Sequence, residues 1–436
     1  MRRRAVLSLL IAAALGLARA DAWEAGVGPS PTLPPPAHRL IPRVDIAPAV
    51  HWPAGAQPQP AAGLTVRPFA TGLDHPRWLH VLPNGDVLVA ESNAPPGKSG
   101  IRGLKGWAMK AVMTRAGAGV PSPDRIVLLR DADGDGVAET RSDFMTGLHS
   151  PFGMALVGDT LYIADTDRLL RVPYTAGAMR IDAAPEIVVD LPGATGRFNH
   201  HWTKSLLASP DGGRLYVGVG SNSNAGENGL AVEASRAAIL EIDPARRTIA
   251  IYADGLRNPV GLAWQPGTST LWAVVNERDE LGDDLVPDYL THVERGAFYG
   301  WPFSYWGAHV DPRVKPQDPA RVAAARVPDY GLGNHVAPLG LAFNTSPRLR
   351  AALGDGAFVA LHGSWNRKPL AGYRVVLVPF ADGRPSAPPR EVLAGFLDAA
   401  GNARGRPVGV EIARDGALLV ADDVGNTVWR VAAAAP

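Results

Sequence analysis

One pattern recurs six times along this chain and restricts its possible folds more than any other feature. An apolar segment meets a glycine-containing turn, and a second apolar segment follows. The copies are Trp78 to Ala90, Gly153 to Asp165, Leu206 to Val219, Val260 to Val274, Leu339 to Phe343 with Asp355 to Ala360, and Val408 to Ala421. Each reads as a β-hairpin, because short apolar runs flanked by Gly, Pro, Asn or Asp turns favour paired strands. Six irregularly spaced hairpins in units of roughly 60 residues point to radial repetition of small antiparallel sheets. The expected fold is all-β: a six-bladed β-propeller of four-stranded antiparallel blades. The segment after Leu64 is placed to pair with the last blade and close the ring. A stacked β-sandwich is the other arrangement that such hairpins allow.

Composition agrees with a turn-rich β protein: 436 residues, 46% hydrophobic, with 48 Gly and 40 Pro. Arg2 to Arg4, the apolar run Ala5 to Leu17 and the small-x-small triplet Ala18-Arg19-Ala20 form a secretory leader, residues 1–20. The run is short for a membrane span, so no stable membrane insertion is expected, and the protein reads as periplasmic or secreted. Residues 21–63 form a Pro- and Ala-rich arm, read as an extended tether outside the core. Residues 64–436 form the propeller domain. Cysteine is absent, which excludes disulfides, thiolate metal sites and a cysteine nucleophile. A net charge of +1 gives no electrostatic footprint for nucleic acid.

In a propeller, the loops leading into the innermost strands converge on one face of the channel. Here those loops carry Pro76-Arg77, His149-Ser150-Pro151, His200-His201-Trp202, Arg257-Asn258-Pro259, Asn334-His335-Val336 and Arg404-Gly405-Arg406. His201 is a candidate general base, since imidazole titrates nearest neutrality; a loop histidine bonded to a carbonyl is the bland reading. His200, its neighbour on extended chain, points the other way and is read as structural. Arg257 can offer a bidentate fork to a carboxylate or oxyanion, or brace the loop between blades. Asn276 to Asp284 is dense in oxygen ligands, as calcium requires, or is a solvated acidic loop. Asp131, Asp133 and Asp135 sit at the alternate positions of a calcium loop, but Ser142 occupies the place where an EF-hand has its Glu. That loop reads as a structural calcium turn or a plain Asp/Gly turn. Arg257, Arg367, Lys368, Arg404 and Arg406 together make a cationic mouth suited to a small, multiply anionic ligand.

Taken in order, His201-Trp202-Thr203-Lys204, Gly255 to Leu262, Asn276 to Asp284, Tyr299-Gly300-Trp301-Pro302, His362 to Arg367 and Gly405 to Val410 resemble the sorbosone dehydrogenase family, related to the soluble quinoprotein glucose dehydrogenases. The match runs from about Leu64 to Val431. The resemblance implies a propeller holding pyrroloquinoline quinone (PQQ) and calcium, and a sugar, sugar-aldehyde or polyol substrate. It also implies a quinone or cytochrome electron acceptor. It gives His201 the general-base role and Arg257 the polarisation of the quinone oxygen. Asn258, Trp202, Lys368 and Arg406 would contact the cofactor, with Arg367 and Arg404, and the carbonyls of Asp279 and Glu280 would meet calcium. Two positions depart from the pattern. Asp279-Glu280 replaces a Gly-Pro pair, and Ser221 with Asn222 stands where the glucose enzymes carry the aspartate that orients the histidine. A calcium-dependent propeller lactonase or esterase, and a non-catalytic carbohydrate-binding propeller, are the alternatives.

Overall fold

A computed structural model describes residues 26–37, 43–96, 111–193 and 199–434. The expected leader, residues 1–20, lies outside them, as does most of the Gly- and Lys-rich insertion before residue 111.

Six four-stranded antiparallel sheets surround one axis, as the hairpin repeat predicts. Blade 1 comprises Pro76–Val81, Val87–Glu91, Arg125–Arg130 and Thr140–Met145. Blade 2 comprises Gly153–Val157, Thr160–Ala164, Arg168–Pro173 and Glu186–Asp190. Lys204–Ala208, Leu215–Val219, Ala238–Asp243 and Thr248–Asp254 form blade 3. Blade 4 contains Pro259–Trp264, Leu271–Val275, Pro287–Val293 and Tyr330–Asn334, and blade 5 contains Pro338–Phe343, Gly356–Leu361, Arg374–Ala381 and Arg390–Ala394. Blade 6 closes the ring: Pro407–Ile412, Leu418–Asp422 and Thr427–Ala433 are completed by Leu64–Ala70 from the start of the domain, with Val66 opposite Val431. Pairing the first strand of the domain with the last gives blade 6 its outer strand and closes the ring.

The first strand of each blade touches the first strand of the next. Four of these six strands begin with Pro, which costs nothing at the channel edge because no ladder donor is needed there. A register shift follows each of those prolines. The repeated glycine in these strands has a steric cause. A Cβ on Gly261 would lie 2.6 Å from Leu339 O, and one on Gly340 would lie 2.4 Å from Val408 O, so only glycine lets adjacent inner strands approach this closely.

The core is divided. One apolar cluster fills each of the six interfaces between blades. A seventh lies on the axis, where Trp78, Phe152, Trp202, Val260, Leu339 and Val408, one residue from each blade, close the channel beneath the mouth. Short helices interrupt the sheets, among them Pro319–Ala324, capped by Asp318, and Pro347–Leu353, capped by Ser346. The second sits inside the fifth hairpin and explains why that copy of the repeat is the loosest.

The arm is not a free tether. Val27–Gly28 adds to the outer strand of blade 4, and Gln59–Pro60 adds to that of blade 5. Between them Ala47 is fully buried in the cluster between blades 5 and 6. Trp52 donates Nε1–H to Asp422 Oδ2 at 2.7 Å and packs edge-on against Phe396 and Trp429. Its Pro and Ala content suits an extended strap that pairs with what is already folded, rather than a solvated linker.

Candidate active site at the mouth of the channel

Strand direction places two sets of loops on the same face: those leading into each first strand and those leaving each second strand. The second strand of blades 1, 2 and 6 ends in a buried acidic residue that fastens the incoming loop. Glu91 accepts from Asp74 N at 2.9 Å, Asp165 from His149 N at 3.0 Å, and Asp422 from Arg406 N at 2.7 Å. The mouth is therefore built on rigid strand ends.

In blade 3 the corresponding residue is Ser221. Its carbonyl oxygen lies 2.7 Å from His201 Nδ1, and its hydroxyl lies 3.2 Å from the same nitrogen while donating to Ser223 O at 2.6 Å. A carbonyl only accepts, so Nδ1 carries the proton and Nε2 keeps the lone pair. Burial first, then the Arg257 charge, hold the His201 pKa well below 6.5, so the imidazole is neutral. Arg236 donates to His201 O at 2.9 Å and to Asn199 Oδ1 at 3.0 Å, and the fully buried Lys204 donates to Trp202 O at 3.0 Å. The polar cluster before this strand thus holds the backbone on either side of the imidazole. His200, expected to be structural, is solvent-exposed, and its ring stands edge-on 4.8 Å from that of His201.

Arg257 is buried in a cradle. Nε donates to Asn224 O at 3.2 Å, and Nη2 donates to Asn224 Oδ1 and Asp279 Oδ2, each at 3.1 Å. Nη1 donates to Glu277 O at 2.6 Å and to Asn276 O at 3.4 Å. All five N–H groups of the guanidinium therefore have a partner, and the 3.4 Å contact is the weakest. Burial alone would raise the Asp279 carboxyl, but Arg257, then His335 and Asn366, hold it down to about 2. Asn224 was missed by sequence reading; its only signal is the Ser-Asn-Ser-Asn run after the second strand of blade 3.

The predicted five-cation mouth is not what the fold assembles. Arg367 is locked to Asp283 O at 2.8 Å, Pro369 O at 2.9 Å and Asp284 Oδ1 at 2.9 Å, making it a loop clamp. Lys368 is exposed and lines a cavity of about 1400 Å³ between the arm and blades 5 and 6, whose lining does not include His201. Arg404 is half-buried and acts on Asp398, which lines the same cavity. Arg406 remains a mouth residue. It is buried, 5.1 Å over the Tyr373 ring, with Nη2 on Ala47 O at 3.2 Å. Arg77 joins it, ion-paired to Asp423 and lying 5.8 Å over the Trp202 ring. His362 donates to the same carboxylate at 3.0 Å, and together these cations hold Asp423 far below the usual carboxylate range. Trp202 forms the floor on the axis, edge-on to Phe152.

Among the buried polar atoms without a partner, several lie at the mouth, Asp423 Oδ1 included. Arg77 Nε and Arg406 Nε are donors of this kind, and Asn258 Oδ1 and Asn366 Oδ1 are acceptors. Two unpaired guanidinium donors suit a carboxylated ligand. On the outer edge of blade 1, Asp131, Asp133, Asp135 and Glu139 gather with ligand oxygens all within 4.8 Å of one another, the donor set of a calcium loop.

The chain matches the TrAA12-like family model over residues 125–291 and 306–434. An uncharacterised protein of Borreliella burgdorferi is 26% identical over 295 residues, 65% of this chain and 76% of that protein. Among solved structures, the Trichoderma reesei carbohydrate-active enzyme of family AA12 in its calcium form superposes with a TM-score of 0.70 at 20% identity, covering 90% of this chain and 99% of that one. The holo PQQ domain of Coprinopsis cinerea pyranose dehydrogenase gives 0.68 at 21% identity, over 89% and 100%. At these identities the superpositions establish the six-bladed fold. The family match begins after the arm and the closing strand.

Proposed function

This chain belongs to the TrAA12-like family, and from that premise we propose that it is a PQQ-dependent dehydrogenase oxidising a sugar, a sugar aldehyde of the sorbosone kind, or a polyol. The observation that carries this reading is a neutral His201, with Nε2 free to accept a proton, in the same ring of loops as two buried guanidinium donors that lack partners. Arg406 and Arg77 would hold the cofactor carboxylates, Asn258 would meet it through its unpaired amide oxygen, and Trp202 would lie beneath it. PQQ, when bound, supplies an ortho-quinone that accepts hydride equivalents. The protein's part is placement and proton handling. His201 Nε2 takes the proton of the substrate hydroxyl or aldehyde hydrate. The Nδ1–H bond to Ser221 then keeps the imidazolium from turning. Arg257 provides a fixed positive charge, and its Nη1 N–H with the weakest partner, Asn276 O at 3.4 Å, has donor capacity left for an oxygen anion. The axial floor keeps water out from below.

Calcium suits the blade 1 loop, where it would stiffen a turn. Of the donors expected to bind it at the mouth, the Asp279 carbonyl is engaged by the chain itself. Export through the residue 1–20 leader would place the enzyme outside the cytoplasm, where a quinone or cytochrome would take the electrons.

The test is a PQQ titration of the purified protein, followed by dye reduction across aldoses, sugar aldehydes and polyols. Saturable PQQ binding with turnover is expected, and no PQQ binding refutes the reading. Hydrolysis of lactones without PQQ would establish the lactonase instead, and binding without turnover the non-catalytic propeller.

A further inference from the structure

Asp279 was expected to present its carbonyl to a calcium ion at the mouth. That oxygen instead accepts from Arg278 Nε at 3.0 Å, Arg278 Nη2 at 2.7 Å and Asn224 Nδ2 at 3.1 Å. Arg278 is 1% exposed and ion-paired to Asp311, itself 1% exposed, so its guanidinium cannot leave without stranding a buried carboxylate. The Asp279 carboxylate is equally committed. Oδ2 receives Arg257 at 3.1 Å; Oδ1 receives Asn366 Nδ2 at 2.7 Å and faces His335 Nδ1 at 3.5 Å. Its own N–H donates to Asn224 Oδ1 at 2.7 Å. The neighbouring Glu280 carboxylate is paired to Arg313 at 2.6 Å.

Calcium takes six to eight oxygens, usually with carboxylates among them. Here the lone pairs of Asp279 face two guanidinium groups, an imidazole and two amides, and a divalent cation would sit against Arg257 and Arg278. The two unpaired amide oxygens nearby, on Asn258 and Asn366, are neutral and do not offset that repulsion, and the unpaired Glu277 Oε1 belongs to a buried carboxyl whose charged form burial disfavours.

We propose that Asp279 and Asn224 act on Arg257 rather than on a metal ion. They are positioning residues of a cation-independent cofactor site, in which the cradled guanidinium supplies the positive charge that calcium would otherwise bring. This rests on the PQQ reading above. Asn224 is its hub: side chain and carbonyl together take two Arg257 donors, and the amide bridges both backbone groups of Asp279.

The experiment is calorimetric titration of PQQ into the full-length protein in chelator and in excess calcium. A blade 1 loop variant, Asp131→Asn with Asp133→Asn, removes the outer calcium donors. Equal PQQ affinity in both buffers is expected. Asn224→Ala and Asp279→Asn should each weaken PQQ binding or turnover by roughly tenfold to a hundredfold, the loss expected when bonds to a charged group go, with no recovery in calcium. Asn366→Ala removes one Asp279 donor and serves if Asp279→Asn does not fold. PQQ binding that requires calcium in the loop variant, or calcium rescue of Asn224→Ala, overturns the inference. Absence of PQQ binding in both buffers is a distinct result, which overturns the cofactor reading and this inference with it.

Discussion

His201 Nδ1 lies 2.7 Å from a backbone carbonyl, and among the described residues no carboxylate is hydrogen-bonded to the ring. Burial disfavours the imidazolium, the Arg257 charge disfavours it further and no carboxylate offsets them, so the proton leaves well below pH 6.5. The base is therefore ready over the whole neutral range, though intrinsically weak. His201→Gln should lower kcat by about 10²–10⁴, the usual worth of general-base catalysis, with PQQ affinity nearly unchanged. The acid limb of the kcat/KM profile should lie well below pH 6.5, and a limb at or above that value would remove His201 from the proton step. Glu411 makes the opposite prediction for stability. Burial raises its carboxyl to about 7. The folded state thus holds a proton that the unfolded chain has released, so the contribution is full below about pH 4.5 and lost as pH rises through 7. In Glu411→Gln the stability lost between pH 5 and 8, read by denaturant titration, should shrink by on the order of 1 kcal/mol.

The insertion between Val293 and Tyr330 in blade 4 forms a wall of the site. Its Asp311 anchors Arg278, Trp301 Nε1 donates to Asn224 O at 2.9 Å, and Phe298, Phe303, Val314 and Val322 give it a small core of its own. Arg278→Met leaves Asp311 buried and unpaired, which should cost about 3–5 kcal/mol; Arg278→Met with Asp311→Leu should recover most of that stability. Denaturation curves of the single and double variants decide it, and no recovery in the double would mean the pair does more than neutralise charge. Recovery of stability need not restore turnover, because the Asp279 carbonyl loses its Arg278 donors in both proteins.

Across the whole molecule, stability depends on closing the ring. Val66 is buried in the cluster between blades 5 and 6, and Thr65, on the same strand, is exposed. Val66→Asp should cost about 3 kcal/mol or more and lower the unfolding transition of the entire propeller, while Thr65→Asp should be nearly neutral. If Val66→Asp produced a separate early transition, blade 6 would be unfolding independently of the rest.

The six blades were legible because the fold is local repetition. Alternation of apolar runs and Gly turns declares each hairpin within about fifteen residues, and closing six of them is a matter of strand edges. That His201, Arg257, Asn258 and Arg406 lie on one face was legible for the same reason, since equivalent loops must share it. The docking of the arm was not legible, because Pro and Ala content reports that a segment is extended, not whether a partner awaits it. Likewise the counted cations said nothing about pairing. Whether Arg367 clamps a loop, Lys368 faces a side cavity, or Asp279 meets a metal or an arginine depends on residues far apart in the chain, 87 positions in the case of Asp279 and Asn366. Those distances exist only once the blades have closed, and they decided which charges were free to act.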